Sequence, residues 1–187
     1  VIARFGDWQL TARGRLMWPL DPRPDEIDIR DIAHHLARIC RWGGAVTDYY
    51  SVAEHSVMLA RHFCIDQERG LARWALLHDA AEAYLGDIVR PLKPYFYEAQ
   101  KFEGYLERMI WQRFGLDGDL PDEVKRADTA ILGDERDQLF GETSAHAERK
   151  REGETGLGLV LRQWGPKRAT EEFLCLFGQL FPEWRVP

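Results

Sequence analysis

The stretch LARWALLHDAAEAYLGD, residues 71–87, decides how this chain folds. Leu71, Trp74, Ala81 and Leu85 recur at helical spacing, and His78 takes a place on the same apolar stripe. Asp79 lies beside it. Glu82 follows one turn later, at i+4 from the imidazole and i+3 from the acid, on nearly the same face. The pattern predicts one helix running to Gly86, with an imidazole at a core position and two acids next to it. Taking an ionised carboxylate out of water is costly unless a cation or strong donors compensate. A metal ion is the simplest compensation.

The same oddity recurs on two other helices. Ser51 reads as an N-cap, with Glu54 at the capping-box position, for a helix through Phe63. Its inward stripe is Val52, His55, Met58, Leu59 and His62, so His55 stands where an aliphatic residue belongs. Pro121 starts a helix to about Phe140, in which Val124, Asp128, Ile131, Leu132 and Leu139 form the stripe. A lone histidine on such a stripe is usually a hydrogen-bonded core residue, and a lone buried Asp is usually a cap or an ion-pair member. Four such residues at once would each need a private partner, and the inward stripes offer no obvious cation. The joint pattern favours a metal site. A mixed N/O donor set suits one divalent transition metal, Mn, Co, Fe, Ni or Zn, whereas Mg prefers oxygen and structural zinc prefers thiolates. His34, His35, His62 and His146 lack the spacing of a second set. His34 and His35 read as flanking a surface helix, and His62 as partly buried packing.

Outward from these helices the chain is consistently all-α. Residues 1–27 hold short apolar runs broken by Gly14, Pro19, Pro22 and Pro24, an extended or hairpin cover. Ile29, Ile32, Leu36 and Ile39 make a helical stripe from Asp28 to about Arg41-Trp42-Gly43-Gly44. Pro91 and Pro94 open a long helix with Phe102, Leu106, Met109 and Ile110 inward, ending near Gly115. His146 to Thr155 reads as a charged mobile loop. Pro166 opens a final helix through Phe181, with Ala169, Phe173, Leu176, Phe177 and Leu180 buried. There is no βαβ rhythm and no repeat. The expected architecture is a single-domain helical bundle, with a core over about residues 28–140 and a C-terminal helix over about 166–181.

At 187 residues, 45% of them hydrophobic and seven of them Trp, the chain can bury one sizeable core. No apolar run is long enough to cross a bilayer, and no secretory signal opens the sequence. Cys40, Cys64 and Cys175 are odd in number and widely spaced, which fits a reduced cytoplasmic protein. A net charge of −6 argues against a long nucleic-acid partner but not against a small phosphorylated substrate. A homodimer fits, although nothing in the sequence marks its surface.

SVAEHS around His55, ALLHDAAEAYLGDI around His78, the following RPLK, and VKRADTA around Asp128 resemble the HD superfamily of metal-dependent phosphohydrolases. Within it, the chain is similar to the branch that includes bacterial 5′-deoxynucleotidases. The resemblance covers about Asp28 to Phe140. It implies an HD-type bundle in which His55, His78, Asp79 and Asp128 bind the metal and Glu82 positions or deprotonates the attacking water. It also implies that Arg41, Trp42 and Asp87 contact substrate. The interval from Asp79 to Asp128 is shorter, and the N-terminal segment longer, than in the deoxynucleotidases.

The chemistry follows from the residues as well. A metal brings bound water toward neutral pKa and neutralises phosphoryl oxygens, Glu82 could take a proton, Arg41 offers a fork to phosphate and Trp42 a face to a base or sugar. Lys93 could add a phosphate contact. Read alone, Arg41-Trp42 is an ordinary helix-end cation beside a packed indole, and Lys93 a solvated loop charge. The leading expectation is a phosphohydrolase of nucleotides, with a deoxynucleoside monophosphate as substrate. A deoxynucleoside triphosphate triphosphohydrolase is the alternative and would recruit Arg90, Lys93, Lys125 and Arg126. A cyclic-nucleotide phosphodiesterase, a non-catalytic sensor and a purely structural bundle are weaker readings.

Overall fold

A computed structural model describes residues 4–140 and 155–184 of the chain. Helices dominate it, and its sheet is a two-stranded antiparallel hairpin of β1 (Gln9–Leu10) and β2 (Leu16–Met17), with Gln9 opposite Met17. The connecting turn needs Gly14, whose φ of +71° is open to a residue without a side chain. The hairpin is pinned from below. Asp31 accepts from the Arg13 N–H at 2.9 Å, and the Gln9 amide donates to the Tyr84 carbonyl at 3.0 Å.

Asp28 caps α1 (Ile29–Leu36) by accepting from the Arg30 N–H at 2.9 Å. This helix ends five residues before Arg41, earlier than its apolar stripe suggested, and a short 3-10 turn follows at Arg41–Gly44. His34 and His35 do not simply flank a surface helix. His35 is half-buried, accepting the Ala12 N–H at 3.1 Å on Nε2 while Nδ1 meets the Ala83 carbonyl at 2.7 Å. It ties hairpin to helix.

Helix α2 (Val52–Ile65) is the centre of the bundle, with Val52 through Ala60 all buried. Helix α3 (Arg69–Leu77) packs along it. Its deepest face is Ala72, Ala75, Leu76 and Leu77, with the expected Leu71 and Trp74 only partly buried beside it. The helix does not run to Gly86 as expected. It stops at Leu77, passes through turns at 78–81, and resumes as the short α4 (Glu82–Leu85). Helix α5 (Tyr97–Arg113) starts after a separate 3-10 turn at Lys93–Tyr95, because two prolines three residues apart leave the preceding backbone no continuous ladder. Helix α6 (Asp122–Leu139) and α7 (Pro166–Leu180) keep the expected bounds closely, and α7 lies across α1, α2 and α3. His146 falls outside the described residues. Among those described, no helix is long and apolar enough to cross a membrane.

The strand-free segment 155–165 is held by two buried acids. Ser51 caps α2 by accepting the Glu54 N–H at 3.1 Å, but the Glu54 carboxylate does not close the box. It turns instead to the N–H groups of Arg162, Gln163 and Trp164 at 2.7, 2.8 and 2.6 Å. Asp134 does the same for Leu157, Gly158 and Leu159 at 2.8 to 3.2 Å. Gly156 lies so close to Asp134 that any Cβ there would collide with the carboxylate. Glu54→Ala strands three backbone donors and is expected to cost about 3 kcal/mol in urea unfolding. A loss below about 0.5 kcal/mol would show the clamp to be idle.

Candidate metal centre

The candidate ligands enter from three places, α2, the turn that follows α3 and α6, and each imidazole is aimed by a partner behind it. His55 sits on α2, fully buried, with Nδ1 at 2.8 Å from Glu135 Oε1. An ionised carboxylate can only accept, so Nδ1 carries the hydrogen. His78 closes α3, and its Nδ1 lies 2.8 Å from the Ala75 carbonyl, which again demands N–H. In neutral rings both Nε2 atoms are therefore bare lone pairs. They stand 3.3 Å apart. Asp128 Oδ1 on α6 lies 3.1 Å from His55 Nε2 and 3.6 Å from His78 Nε2. Asp79 Oδ2 lies 3.1 Å from His78 Nε2 and 3.7 Å from His55 Nε2.

Four acceptors facing one another repel unless a proton or a cation sits among them. Donors about 2.0–2.2 Å from one ion stand roughly 3 Å apart, which is the spacing of the two imidazoles. His55, His78 and Asp128 offer ligand atoms all within 4.8 Å of one another and could hold a metal ion. Without a metal, the load falls on His78. Burial opposes its charge, but Asp79 and Asp128 outweigh burial and hold its pKa well above the ordinary imidazole value. Burial would likewise raise Asp79 and Asp128, yet the two imidazoles keep both carboxyls well below the usual range.

The turn between α3 and α4 sets the acids. From Leu77 the hydrogen bonds shorten to i→i+3, with Ala80 N–H on Leu77 O at 3.3 Å and Glu82 N–H on Asp79 O at 3.1 Å. At three residues per turn, positions i and i+3 eclipse, so Asp79 and Glu82 align more closely than in an α-helix. Glu82 is buried, and its Oε2 has no hydrogen-bond partner among the described residues. Burial, then Asp79 and Asp87, push its carboxyl up to about 9 against the pull of Lys93. Lys93 Nζ lies 3.4 Å from Glu82 Oε1 and 3.1 Å from Glu103 Oε1. Asp87 is half-buried between the fields of Asp79, Arg41 and Lys93. Arg90 reaches Asp128 Oδ2 at 3.3 Å from an exposed position.

Arg41 and Trp42 stand beside this centre but are already engaged. Arg41 Nε is 3.1 Å from Glu135 Oε1, its Nη1 is 3.6 Å from Asp79 Oδ2, and Trp42 Nε1 donates to Glu135 Oε2 at 2.9 Å. Glu135 escaped the sequence reading, although it lies on the Asp128 stripe seven residues on. So did Glu107 on α5, whose carboxyl is pushed to about 7 by burial, Glu103 and Asp79. Lys125 and Arg126 point elsewhere, paired with Asp122 at 2.9 Å and Glu123 at 3.2 Å on the surface of α6. A cavity of about 620 Å³ between the hairpin, α1 and residues 82–86 touches the centre through Glu82 alone. Arg41, Trp42 and Lys93 do not line it, so it is not the space those residues surround.

No family model matches the chain. The uncharacterized protein RCAP_rcc00048 of Rhodobacter capsulatus is 41% identical over 157 residues, which covers 76% of this chain and 78% of that protein. The chain belongs to the same family. The uncharacterized protein YfdR of Escherichia coli is 39% identical over 115 residues, 62% of each chain. Against RCAP_rcc00048 the match is too long to be carried by the segment of residues 71–87 alone.

The proton on His78 and a metal compete for the same place. A divalent ion should therefore displace a proton near pH 7, and its affinity should fall as pH drops. Calorimetric titration in buffers of different ionisation enthalpy reads this directly, and binding without proton release would contradict the arrangement.

Proposed function

We propose that this chain is a divalent-metal-dependent phosphohydrolase of HD type, acting on the phosphate ester of a nucleotide with a deoxynucleoside monophosphate as leading substrate. The observation that carries the reading is the inward convergence of His55 Nε2, His78 Nε2, Asp128 Oδ1 and Asp79 Oδ2, with the buried Glu82 alongside. Asp79 completes the ligand set with the other three. The donor chemistry, two nitrogens and two carboxylates, suits Mn, Co, Fe, Ni or Zn.

A metal held there supplies a water of lowered pKa and a counter-charge for phosphoryl oxygens. The rest of the work falls to the chain. Glu82 takes the proton of the attacking water, and its burial makes it a strong base once positive charge nearby holds it ionised. Lys93, within ion-pair reach of Glu82, and Arg90, on the rim at Asp128, supply cations to the phosphate. Arg41 keeps its guanidinium poised between Glu135 and Asp79 and offers the fork as phosphate draws near. Trp42 offers sugar or base the ring surface that Phe140 and Arg136 leave open, and Asp87 stands within the fields of Arg41 and Asp79. The triphosphohydrolase reading is less favoured, because Lys125 and Arg126 are spent on neighbouring acids of their own helix.

Product analysis tests this. Metal-stripped protein reloaded with Mn or Co is given ribo- and deoxynucleoside mono- and triphosphates, and orthophosphate is expected from monophosphates. Inorganic triphosphate would move the chain to the alternative, and no turnover with metal bound would sink both. Glu82→Gln should keep metal while turnover falls about 100-fold or more, whereas Asp128→Ala should lose metal and turnover together. An active Glu82→Gln would remove that residue from its role.

A further inference from the structure

We infer that Glu135 is a positioning residue that joins the metal ligand His55 to the Arg41–Trp42 pair, so that filling the centre and setting that pair are a single event. The inference rests on the metal-centre reading above. Glu135 is fully buried on α6. Seven residues after Asp128 is nearly two helical turns, so both carboxylates leave α6 on one face. One carboxylate then serves three side chains from two distant parts of the chain. Oε1 faces His55 Nδ1 at 2.8 Å and Arg41 Nε at 3.1 Å, while Oε2 takes the Trp42 indole N–H at 2.9 Å and lies 3.3 Å from Arg41 Nη2.

Two features show that this acid sets geometry as well as charge. Trp42 has φ +59°, in the left-handed region where a bulky side chain is strained. Its indole is fixed by Glu135 on one side and by an edge contact with Phe140 at 5.2 Å on the other. Arg41 in turn spans from Glu135 to Asp79 Oδ2 at 3.6 Å. The contacts therefore close a ring: His55 to Glu135, Glu135 to Arg41, Arg41 to Asp79, and Asp79 back to the two imidazoles. A cation that draws on His55 and Asp79 strengthens the His55–Glu135 bond and loosens Asp79 from Arg41. Both changes reach Arg41 and Trp42 through Glu135. A carboxylate behind a histidine ligand also fixes its ring and tautomer, and losing such a group typically costs 10–100-fold in metal affinity.

The test uses Zn²⁺ alone as probe on metal-stripped full chain. Wild type is expected to show an emission change on Zn²⁺ that vanishes in Trp42→Phe. Glu135→Gln should bind Zn²⁺ about 10–100-fold more weakly and, even when saturated, show no Trp42-dependent change. Equal affinity in Glu135→Gln, or a surviving emission change, overturns the inference. Imidazole ¹⁵N spectra of the wild type give a second reading that needs no variant to fold. His55 must be the Nδ1–H tautomer, and an Nε2–H tautomer overturns the role. Zn²⁺ bound with this coupling but no nucleotide hydrolysed supports Glu135 while removing the phosphohydrolase reading. Hydrolysis with Zn²⁺ affinity unchanged in Glu135→Gln does the reverse, and a wild type that binds no Zn²⁺ overturns both.

Discussion

Like-signed groups cannot be packed face to face in a protein interior without something of opposite charge between them. Here two imidazole lone pairs stand 3.3 Å apart, flanked by carboxylate oxygens at 3.1 Å, in a bundle whose central helix is buried on every side around His55. Desolvation makes that arrangement expensive, and neutralising it makes it rigid. Much of the surrounding structure serves to hold these atoms in place. The Ala75 carbonyl and Glu135 orient the two rings from behind, and Arg41 balances the outer acids. A proton on His78 is the least that the centre demands, and a divalent ion, which His55, His78 and Asp128 could hold, would on the proposed reading also satisfy Asp79.

The helices that carry the centre are braced by the chain neighbours of His55 and of Glu135 behind it. Glu54 precedes His55, and Asp134 precedes Glu135. Each uses its carboxylate to gather three consecutive N–H groups of residues 157–164. Because α2 is buried all round from Val52 to Ala60, adjacent residues on it serve different sides, one the centre and one the clamp. On the far side, the hairpin reaches the backbone just past Glu82 through Gln9 and His35. The cover segment thus holds the strand of turns on which Glu82 depends. Loss of either brace would be felt at the centre through backbone position rather than through any direct contact.

Much of this was legible in the amino-acid sequence, for physical reasons that also mark where legibility ended. Asp28, Ser51, Pro121 and Pro166 act locally, so they locate helix starts within a residue or so. His55, His78 and Asp128 stood out because polar groups on an apolar stripe are costly. The break after Leu77 was not legible. AAEAYL is a good helical sequence, and nothing in its periodicity marks the tightened i→i+3 hydrogen bonds at Ala80 and Glu82, whereas His35 on Ala83 and Gln9 on Tyr84 claim carbonyls that a helix continuing past Leu85 would need. Glu54 has the spacing of a capping box, but the donors that win it lie more than a hundred residues away. Glu135 could have been found, since it shares the stripe of Asp128. The pairing of Arg41 with Glu135 depends on a left-handed turn at Trp42, which no periodicity announces.

The proposed metal ion belongs among His55, His78, Asp79 and Asp128. A crystal structure of protein equilibrated with Mn²⁺, with data collected to reveal anomalous scattering from manganese, tests this placement most directly. One anomalous peak is expected at coordinating distance from both Nε2 atoms and from Asp128, with Glu135 still behind His55. A structure in which the two rings instead hold only a proton at saturating metal, with no peak between them, would contradict it.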